Sequence, residues 1–419
     1  MKVTIITIGS RGDVQPFLAL AIGLNHAGHQ VKLATYQSFA PWIQSYGIEF
    51  ASLEGDPYEL LQSDTGQQMM ESAKNPIQFM NLFTEAISPT MDGLISDAWS
   101  VCQDADVIIC HCIVSWVREF AKKLKIPCYI TAFAPIAATT EYPIALTSGK
   151  SKGRLLNYLS YPLYKVIFWQ LFRPSVNRWL QKNFGLSPYP IWAYPKIARD
   201  RHQQPQLYAY SPTILPRASN WPENIHVTGY WYLSAASNWN PSDKLIDFLA
   251  AGSAPIYIGF GSMKDRNPET ITDIVLKSLA QNKQRAILLT GWGGITNADL
   301  PDEVLKIDSV PHDWLFPQCA AVVHHGGAGT TSAALRAGVP SVILPFLGDQ
   351  MFWGNRLASY NIGTEPIFQK ELTPEKLSQA ISQVIHDNTM KTKAAEIGEK
   401  IRAEDGVGNA VKVLEQDLN

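Results

Sequence analysis

The chain has 419 residues, too many for one hydrophobic core of ordinary size, so two domains are expected. A formal net charge of -2 and an isoelectric point near 6.5 exclude the long-range attraction on which nucleic-acid-binding proteins depend. The five cysteines are an odd number without C-x-x-C spacing, which excludes a disulfide scaffold and favours a reducing, cytoplasmic environment.

The first predicted element is a short apolar strand, VTIITIG, followed at once by the turn GSRGDVQP and a helix. Because polar residues break the apolar run so early, the segment is a buried strand and not a signal peptide. Asp13 lies at the carboxyl end of this strand, where a carboxylate can take a proton from an attacking hydroxyl group. We expect its pKa to be low beside the helix N-terminus, and a plain helix cap is the alternative role. The turn lacks G-x-G-x-x-G, which argues against a nicotinamide cofactor.

Short β-branched runs then alternate with helical patterns, as in VKLATY, DVIIC and PCYITA. This alternation predicts a parallel sheet with crossover helices. Asp104 and Asp106 precede the DVIIC strand instead of following one, which favours a surface connection over a metal site. His111 ends that strand and is expected either to line an acceptor pocket or to be a satisfied core histidine.

A helical insertion is predicted at about 148–194, where aromatic residues and prolines crowd together. Its most apolar stretch, LLNYLSYPLYKVIFWQLF, contains Lys165 and is therefore too interrupted to span a membrane. We expect a helix in a core or on a membrane surface, with an aromatic-lined acceptor cavity as the alternative. The aromatic residues concerned are Tyr158, Tyr161, Phe168, Trp169 and Trp179.

A second α/β series follows the linker-like piece YWYLSAASNWNPSD, with PIYIGFGS, AILLTG, AAVVHH and SVILPF as its strands. The sequence thus predicts an α/β protein with two Rossmann-like, doubly wound domains that face a central cleft. We place the N-terminal domain at 1–235, the C-terminal domain at 236–395, and a final helix at 396–419 that packs back on the N-terminal domain.

The strongest functional motif is HHGGAGTTSAALRAG, which begins at His324 between a buried strand and a helix. Three glycines in it allow backbone to approach a ligand closely: Gly326, Gly327 and Gly329. The following helix N-terminus is suited to a diphosphate, and Thr330 and Thr331 add hydroxyl donors. We expect His325 to donate to a phosphate oxygen and so stabilise a leaving diphosphate without a metal. The alternative is a tight turn with core histidines.

Three other loops follow strands of the second domain. Asp349 and Gln350 combine an acceptor with a mixed donor and acceptor, which predicts recognition of paired sugar hydroxyls; a helix cap by Asp349 is the alternative. The segment VPHDWLFPQC offers backbone groups and Trp314 to a planar base, with Trp314 in the core as the alternative. The turn GFGSM, which includes Ser262, is expected to touch phosphate.

These motifs together resemble the GT-B fold family 1 glycosyltransferases, in particular the sterol and lipid glucosyltransferases and the antibiotic-type enzymes. The similar strings are GSRGDVQP, GFGSM and VPHDWLFPQCAAVVHHGGAGTTSAALRAGVPSVILPFLGDQMFWGNR, and the match covers nearly the whole chain. The resemblance implies an inverting, metal-independent transfer of glucose or a related hexose. The resemblance further implies a UDP-sugar as co-substrate, no cofactor, and an apolar alcohol such as a sterol as the acceptor.

The resemblance also assigns residues. Asp13 matches the family's proposed base, whereas plant-type relatives carry a histidine in this turn, so a histidine base is not expected here. The positions implied to lie at the donor phosphates are Ser10, Gly12, Ser262, His325, Gly327, Ala328, Gly329 and Thr330. Val310 matches a residue whose backbone pairs with uracil. Asp349 and Gln350 match the residues that bind the sugar hydroxyls.

The acceptor stays open, because similar cores serve carotenoids, hopanoid-like lipids, macrolides and phenolics. The eukaryotic sterol enzymes carry a long N-terminal lipid-binding region, and we expect no such region here. Two other functions remain: a nucleotide-sugar epimerase or hydrolase of the same fold, and a non-catalytic lipid-binding protein. Consumption of donor with and without acceptor distinguishes the three. We expect no nucleic-acid partner, a cytoplasmic location and peripheral contact with a membrane.

Overall fold

The computed structural model describes residues 1–56, 59, 64–71, 76–147, 149–192, 205–234, 239–260, 268–289, 300–346 and 348–418. The chain forms two compact units. Unit 1 comprises Met1–Ile144, Ser151–Leu233 and Asp405–Asn419, and unit 2 comprises Ala145–Lys150 and Ser234–Glu404. The sequence placed the corresponding borders at 235 and 395.

Unit 1 is built on a seven-stranded parallel sheet with the strand order β3-β2-β1-β4-β5-β6-β7. The strands are β1 Lys2–Ile6, β2 Gln30–Tyr36, β3 Glu49–Leu53, β4 Val107–His111, β5 Cys128–Ala132, β6 Gln206–Tyr208 and β7 Ile225–Val227. In the central register, Ile5 of β1 pairs with Leu33 on one side and Ile109 on the other. The strand order reverses between β1 and β4, and ligands of such sheets bind beyond the strand ends at this position.

Among the described residues, unit 1 has six α-helices between β1 and β6. They are α1 Arg11–His26, α2 Ala40–Gln44, α3 Asp64–Glu71, α4 Pro76–Val101, α5 Arg118–Leu124 and α6 Arg154–Phe184. The predicted insertion is therefore mostly one helix of 31 residues, α6, which continues through Pro162 and Pro174. Trp169, Phe172 and other side chains of α6 enter one of the cores of unit 1. No helix among the described residues is long and apolar enough to cross a membrane.

Unit 2 contains a five-stranded parallel sheet with the order β10-β9-β8-β11-β12. Its strands are β8 Ile256–Gly259, β9 Ala286–Leu289, β10 Val304–Ile307, β11 Ala321–His324 and β12 Ser341–Ile343. Its helices are α7 Asp243–Ala250, α8 Pro268–Asn282, α9 His312–Leu315, α10 Ala328–Ala337, α11 Gln350–Ser359, α12 Pro374–His386 and α13 Asn388–Arg402. The order reverses between β8 and β11, so both sheets have the doubly wound arrangement that the sequence predicts.

The C-terminal segment forms two helices where the sequence predicts one. Helix α13 belongs to unit 2, and α14, Gly406–Leu418, belongs to unit 1. The break falls before Gly406 because the Asp405 carboxylate accepts a hydrogen bond from the Gly408 amide at 2.9 Å and so starts a new helix. Val411 and Leu414 of α14 lie in the same core cluster as Leu18 of α1.

The acidic pair before β4 is a surface connection, as predicted. The Asp106 carboxylate accepts from the Lys2 amide at 2.7 Å, and Asp104 lies 3.2 Å from the Lys32 ammonium group. These contacts tie the start of β4 to β1 and β2. Among the described residues, no group of three or more histidine, cysteine or acidic side chains is arranged to hold a metal ion.

Candidate active site

The turn between β1 and α1 places the Asp13 carboxylate back over its own loop. Asp13 occupies the third position of α1, and one carboxylate oxygen accepts from the Ser10 amide at 2.8 Å and from the Ser10 hydroxyl at 3.0 Å. The Thr7 hydroxyl donates to the Asp13 carbonyl at 3.0 Å. Both polar groups of Ser10 therefore serve to fix Asp13, which is the capping arrangement predicted as the alternative role.

The pKa of Asp13 is raised above its usual value. Burial is the largest cause, and it outweighs the two hydrogen bonds from Ser10, which lower the pKa. The sequence prediction of a low pKa is therefore wrong, because removal of water from the carboxylate exceeds the effect of the helix N-terminus. Asp13 as a whole residue is partly exposed, and its raised pKa makes the carboxylate more basic than that of an ordinary aspartate.

Gly9 is required for this arrangement. Its φ of +130° lies in the region that side chains rarely adopt, and a Cβ atom there would stand 2.7 Å from the Asp13 Cγ atom. The glycine thus provides the space in which the carboxylate lies. Gly12 is exposed on the outer side of the turn, where an added Cβ would make only an ordinary contact of 3.6 Å with the Ser10 hydroxyl.

Two further ionisable side chains lie near Asp13 at the ends of neighbouring strands. Burial raises the pKa of Tyr36, at the end of β2, and the charge of Asp13 raises it further. His111, at the end of β4, is buried, packs its ring against Phe133 at a centroid distance of 4.9 Å, and has its pKa lowered to about 3 by burial. Its ring also contacts Phe17 in the core, which supports the core position, but its buried Nδ1 atom has no hydrogen-bond partner among the described residues, so His111 is not a satisfied core histidine. The sequence reading did not identify Tyr36.

In unit 2, the turn between β11 and α10 is organised by two histidines with different roles. His324 is fully buried, and its Nδ1 atom accepts from the Gly326 amide at 3.1 Å, so the ring proton lies on Nε2. Gly326 has a φ of +91°, and a Cβ there would be 3.0 Å from the Gln350 carbonyl oxygen. His324 therefore shapes the turn, and the turn packs directly against the loop that contains Gln350.

The His325 ring lies over Gly327, the residue that caps the N-terminus of α10. A Cβ atom on Gly327 would stand 3.2 Å and 3.3 Å from the Cδ2 and Cε1 atoms of the His325 ring, so only glycine allows this position. Burial lowers the pKa of His325 to about 4, and the imidazole is neutral at pH 7. Its Nδ1 atom is buried and has no hydrogen-bond partner among the described residues.

The N-terminus of α10 is left open to a ligand. Gly327 is the cap residue, and no side chain caps the helix. The first amides of any helix lack partners within it and carry the positive end of the helix dipole. Gly329 is exposed, and a Cβ there would meet nothing within 4 Å. Ala328, Gly329 and Thr330 thus border free space, whereas Thr331 is completely buried and does not face a ligand there.

Asp349 and Gln350 lie at the start of α11, next to the histidine turn, but they differ in exposure. Gln350 is buried, and its side-chain oxygen accepts from the Phe346 amide at 2.7 Å. Asp349 is partly exposed, and its Oδ2 atom accepts from the Trp353 indole at 2.9 Å. The side-chain amide of Gln350 therefore fixes the loop between Phe346 and α11. The Asp349 carboxylate is held in one orientation near the surface.

The segment before α9 brings a further histidine to the site. Val310 is buried in a core cluster with Leu315, while Trp314 packs on Trp239 with centroids 5.2 Å apart. His312 stacks on Phe316 at 4.4 Å and shares a hydrogen bond of 3.2 Å with the Tyr257 hydroxyl. Burial is the main cause of the low pKa of His324, and the neighbouring His325 and His312 lower it further. His312 lies in the string VPHDW, which the sequence analysis used for Val310 and Trp314 without identifying this histidine.

The structure thus brings His325, Gly327, Thr330 and Asp349 together in unit 2, and Ser10 and Asp13 together in unit 1. Ser262 and Gly261 lie outside the described residues, and the described part of that turn is Gly259 and the buried Phe260. Gly259 pairs with His324 in the sheet, so the start of the GFGSM turn lies beside the histidine turn.

Comparison with known families finds two matching domains. The Glycosyltransferase family 28 N-terminal domain matches residues 3–142. The erythromycin biosynthesis protein CIII-like C-terminal domain matches residues 275–416. The first match contains the Asp13 turn, and the second contains the histidine turn and the Asp349 loop.

Curated relatives include the sterol 3-beta-glucosyltransferase of Emericella nidulans, which is 38% identical over 431 residues. The alignment covers 100% of this chain and 30% of that protein. The enzyme of the same name from Cryptococcus neoformans is 36% identical, and the alignment covers 100% of this chain and 27% of that protein. The chain therefore spans about a third of the length of the curated relatives it matches.

Solved structures with a similar fold include the kitacinnamycin glycosyltransferase, with a TM-score of 0.72 and 17% identity, covering 99% of this chain and 98% of that one. The calicheamicin glycosyltransferase CalG4 gives a TM-score of 0.70 at 16% identity, covering 99% and 97%. The VinC glycosyltransferase, solved with dTDP, gives 0.64 at 18% identity and covers 99% of each chain. These likenesses establish the two-Rossmann-domain architecture.

Proposed function

We propose that the chain is a glycosyltransferase of the two-Rossmann-domain, GT-B type, and that it transfers glucose, or a closely related hexose, from a UDP-sugar to the hydroxyl group of a sterol or similar apolar alcohol. One observation carries the proposal: the neutral His325 imidazole lies on the uncapped N-terminus of α10. This is an anion site without a charged side chain, and it fits a diphosphate that gains charge as it leaves. The two domain matches support a glycosyltransferase, and the sterol-enzyme relatives support the choice of sugar and acceptor.

On the donor side, the amides of Ala328, Gly329 and Thr330 and the His325 ring donate to the diphosphate oxygens. Because its pKa is about 4, the His325 ring is neutral at pH 7, and it donates a hydrogen bond to the diphosphate without transferring its proton. The backbone of Val310 binds the uracil edge, and Asp349 accepts from the sugar hydroxyls. Gln350 acts as a positioning residue, because its amide holds the loop through Phe346.

The transfer itself is a single displacement. The Asp13 carboxylate takes the proton of the acceptor hydroxyl as its oxygen forms a bond to the anomeric carbon. The bond from that carbon to the diphosphate oxygen breaks, and its electron pair leaves with UDP. Because attack comes from the face opposite the leaving group, the configuration changes from α to β. The raised pKa of Asp13 increases its strength as a base in this step.

The test is release of UDP from UDP-glucose, measured with and without cholesterol, ergosterol, a hydroxylated carotenoid and a simple phenol, with EDTA present throughout. We expect release that depends on a sterol and is unaffected by EDTA. Product stereochemistry by NMR is expected to show a β-glucoside. dTDP-glucose is a parallel donor, because related folds have been solved with thymidine nucleotides.

Each alternative has its own outcome. Consumption of UDP-glucose that is equal with and without acceptor would support a hydrolase or epimerase and contradict the transferase proposal. Sterol binding without consumption of either nucleotide sugar would support a non-catalytic lipid-binding protein. An α-glucoside would contradict direct displacement while leaving the transferase assignment in place.

A further inference from the structure

Helix α6 presents a continuous apolar surface to solvent. Five large side chains on it are exposed, from 70% for Leu155 and 64% for Leu163 to 39% for Ile167. We call these five residues the apolar face: Leu155, Leu156, Leu159, Leu163 and Ile167. At 100° per residue they fall within about a third of the helix circumference, over a length of roughly 18 Å. A continuous apolar surface of this kind marks an interaction site, whereas a single exposed leucine does not.

Helix α6 is firmly packed on the rest of unit 1, so the apolar face is not exposed by a loose helix. On the opposite side, Tyr161, Trp169 and Phe172 are almost completely buried. The Asn157 amide donates to the Thr140 carbonyl at 3.1 Å, and its oxygen accepts from the Lys152 amide at 3.2 Å. The helix is thus held by packing and by hydrogen bonds, and the five apolar side chains point away from that core.

All charged positions in the sequence around α6 are basic. Residues 142–192 contain no aspartate or glutamate, although the whole chain has a net charge of -2. The basic residues in this range are Lys150, Lys152, Arg154, Lys165, Arg173, Arg178 and Lys182. Arg178 pairs with Asp92, and Lys150 pairs with Glu365. Lys152 and Arg154 are exposed and immediately precede Leu155 on the chain.

We propose that the apolar face of α6 inserts into the surface of an anionic lipid bilayer, with the basic residues at its N-terminal end contacting the lipid phosphates. An apolar stripe combined with basic residues is the pattern of helices that lie in the plane of a membrane interface. A second copy of the chain is a poorer partner, because two such faces would bring like charges together.

This proposal goes beyond the proposed function, since it concerns attachment to a membrane and not the reaction. Attachment to the membrane would bring the enzyme to an acceptor that is dissolved in the bilayer. Attachment does not require UDP-sugar, acceptor or Asp13, so it is measured in the absence of all substrates. Failure of attachment and failure of catalysis are therefore distinguishable.

The test is flotation of the full chain with vesicles of phosphatidylcholine alone and of phosphatidylcholine mixed equally with phosphatidylglycerol. We expect binding to the mixed vesicles that weakens as salt is raised, and much weaker binding to the neutral ones. The double variant Leu159→Ser/Leu163→Ser is expected to bind roughly a hundredfold more weakly, about tenfold for each leucine removed from the lipid. Lys152→Gln/Arg154→Gln is expected to lose on the order of 20-fold, about five-fold per charge.

The matched controls lie in unit 2. Ile246→Ser removes another exposed apolar side chain, and Lys393→Gln/Lys400→Gln removes two exposed charges from α13; both are expected to float like the parent chain. All substituted positions are at the surface, so thermal unfolding should be unchanged. No flotation of the parent with mixed vesicles, or equal flotation of the leucine variant, would overturn the proposal. A parent dimer in light scattering that the leucine variant abolishes, without flotation, would assign the face to a second copy.

Discussion

The turn after β1 and the turn after β11 share one architecture but differ in what occupies the helix N-terminus. Each connects a central parallel strand to a helix beside the point where the strand order reverses. In unit 1, the Asp13 carboxylate folds back and accepts from the Ser10 amide. In unit 2, Gly327 caps the helix without any side chain, and a neutral imidazole lies above it.

This difference would let one turn type serve the two chemistries proposed above. An acid at its own helix N-terminus satisfies the exposed amide and repels a phosphate, which leaves a base available for proton transfer. A glycine cap leaves the amides unsatisfied, so the turn attracts a diphosphate. The comparison predicts that loss of Asp13 affects the chemical step and loss of His325 affects the handling of the donor.

The largest effect is expected from Asp13→Asn. The amide keeps the size of the side chain but cannot take a proton, so kcat for sterol-dependent UDP release should fall about a thousandfold. The Kd for UDP, measured by calorimetry, should stay unchanged, because we propose the donor site in unit 2. Asp104→Asn, at the surface before β4, serves as the control and should keep full activity. A parent-like kcat in Asp13→Asn would remove the base from the proposed mechanism.

A smaller effect is expected from His325→Gln. The glutamine cannot reproduce the position of the ring over Gly327, so the leaving diphosphate loses one donor, and kcat should fall about a hundredfold. UDP binding should weaken in the same variant, in contrast to Asp13→Asn. The control is His386→Gln at an exposed position on α12. If His325→Gln changed neither UDP affinity nor kcat, the assignment of the donor phosphates to this turn would be wrong.

The smallest effect concerns His111, which ends the strand beside the Asp13 turn. Its pKa is about 3 in the folded chain and 6.5 when unfolded. Between these values the unfolded chain takes up the proton first, so stability is complete above pH 6.5 and falls as the pH decreases. At pH 5 the loss from this group is roughly 2 kcal/mol.

Urea unfolding at pH 7.5 and pH 5 measures this loss, and His111→Gln should reduce the difference between the two values. His26→Gln, at the exposed end of α1, should not change it. A variant with the parent's pH dependence would show that other groups control acid sensitivity in unit 1. In that case the contrast between a structural histidine in unit 1 and a ligand-binding one in unit 2 would lose its support.

Much of the fold could be predicted because its signals are local. The alternation of short apolar runs with helical patterns indicated both parallel sheets, and the glycine-rich strings placed the two functional turns correctly at strand ends. The start of α10 at Ala328 follows from the three glycines, whose backbone freedom ends the strand and frees the helix N-terminus.

Features that depend on distant contacts were missed. The pKa of Asp13 is set by protein packed around the carboxylate, and no local rule reveals that packing. The orientation of Gln350 toward Phe346 depends on the path of the intervening loop. The split into α13 and α14 could have been read from Asp405 and Gly408, but the residues on both sides share one amphipathic pattern.

Helix α14 has a consequence for the order in which this protein acquires its structure during synthesis. Val411 and Leu414 complete a core whose other members, such as Leu18 and Val31, leave the ribosome hundreds of residues earlier. Asn409 also reaches back to the Thr228 carbonyl at 3.0 Å. The first unit to be translated therefore cannot be the first to finish folding. Unit 2, which is contiguous apart from Ala145–Lys150, can therefore complete its core while unit 1 still exposes the apolar surface that α14 covers.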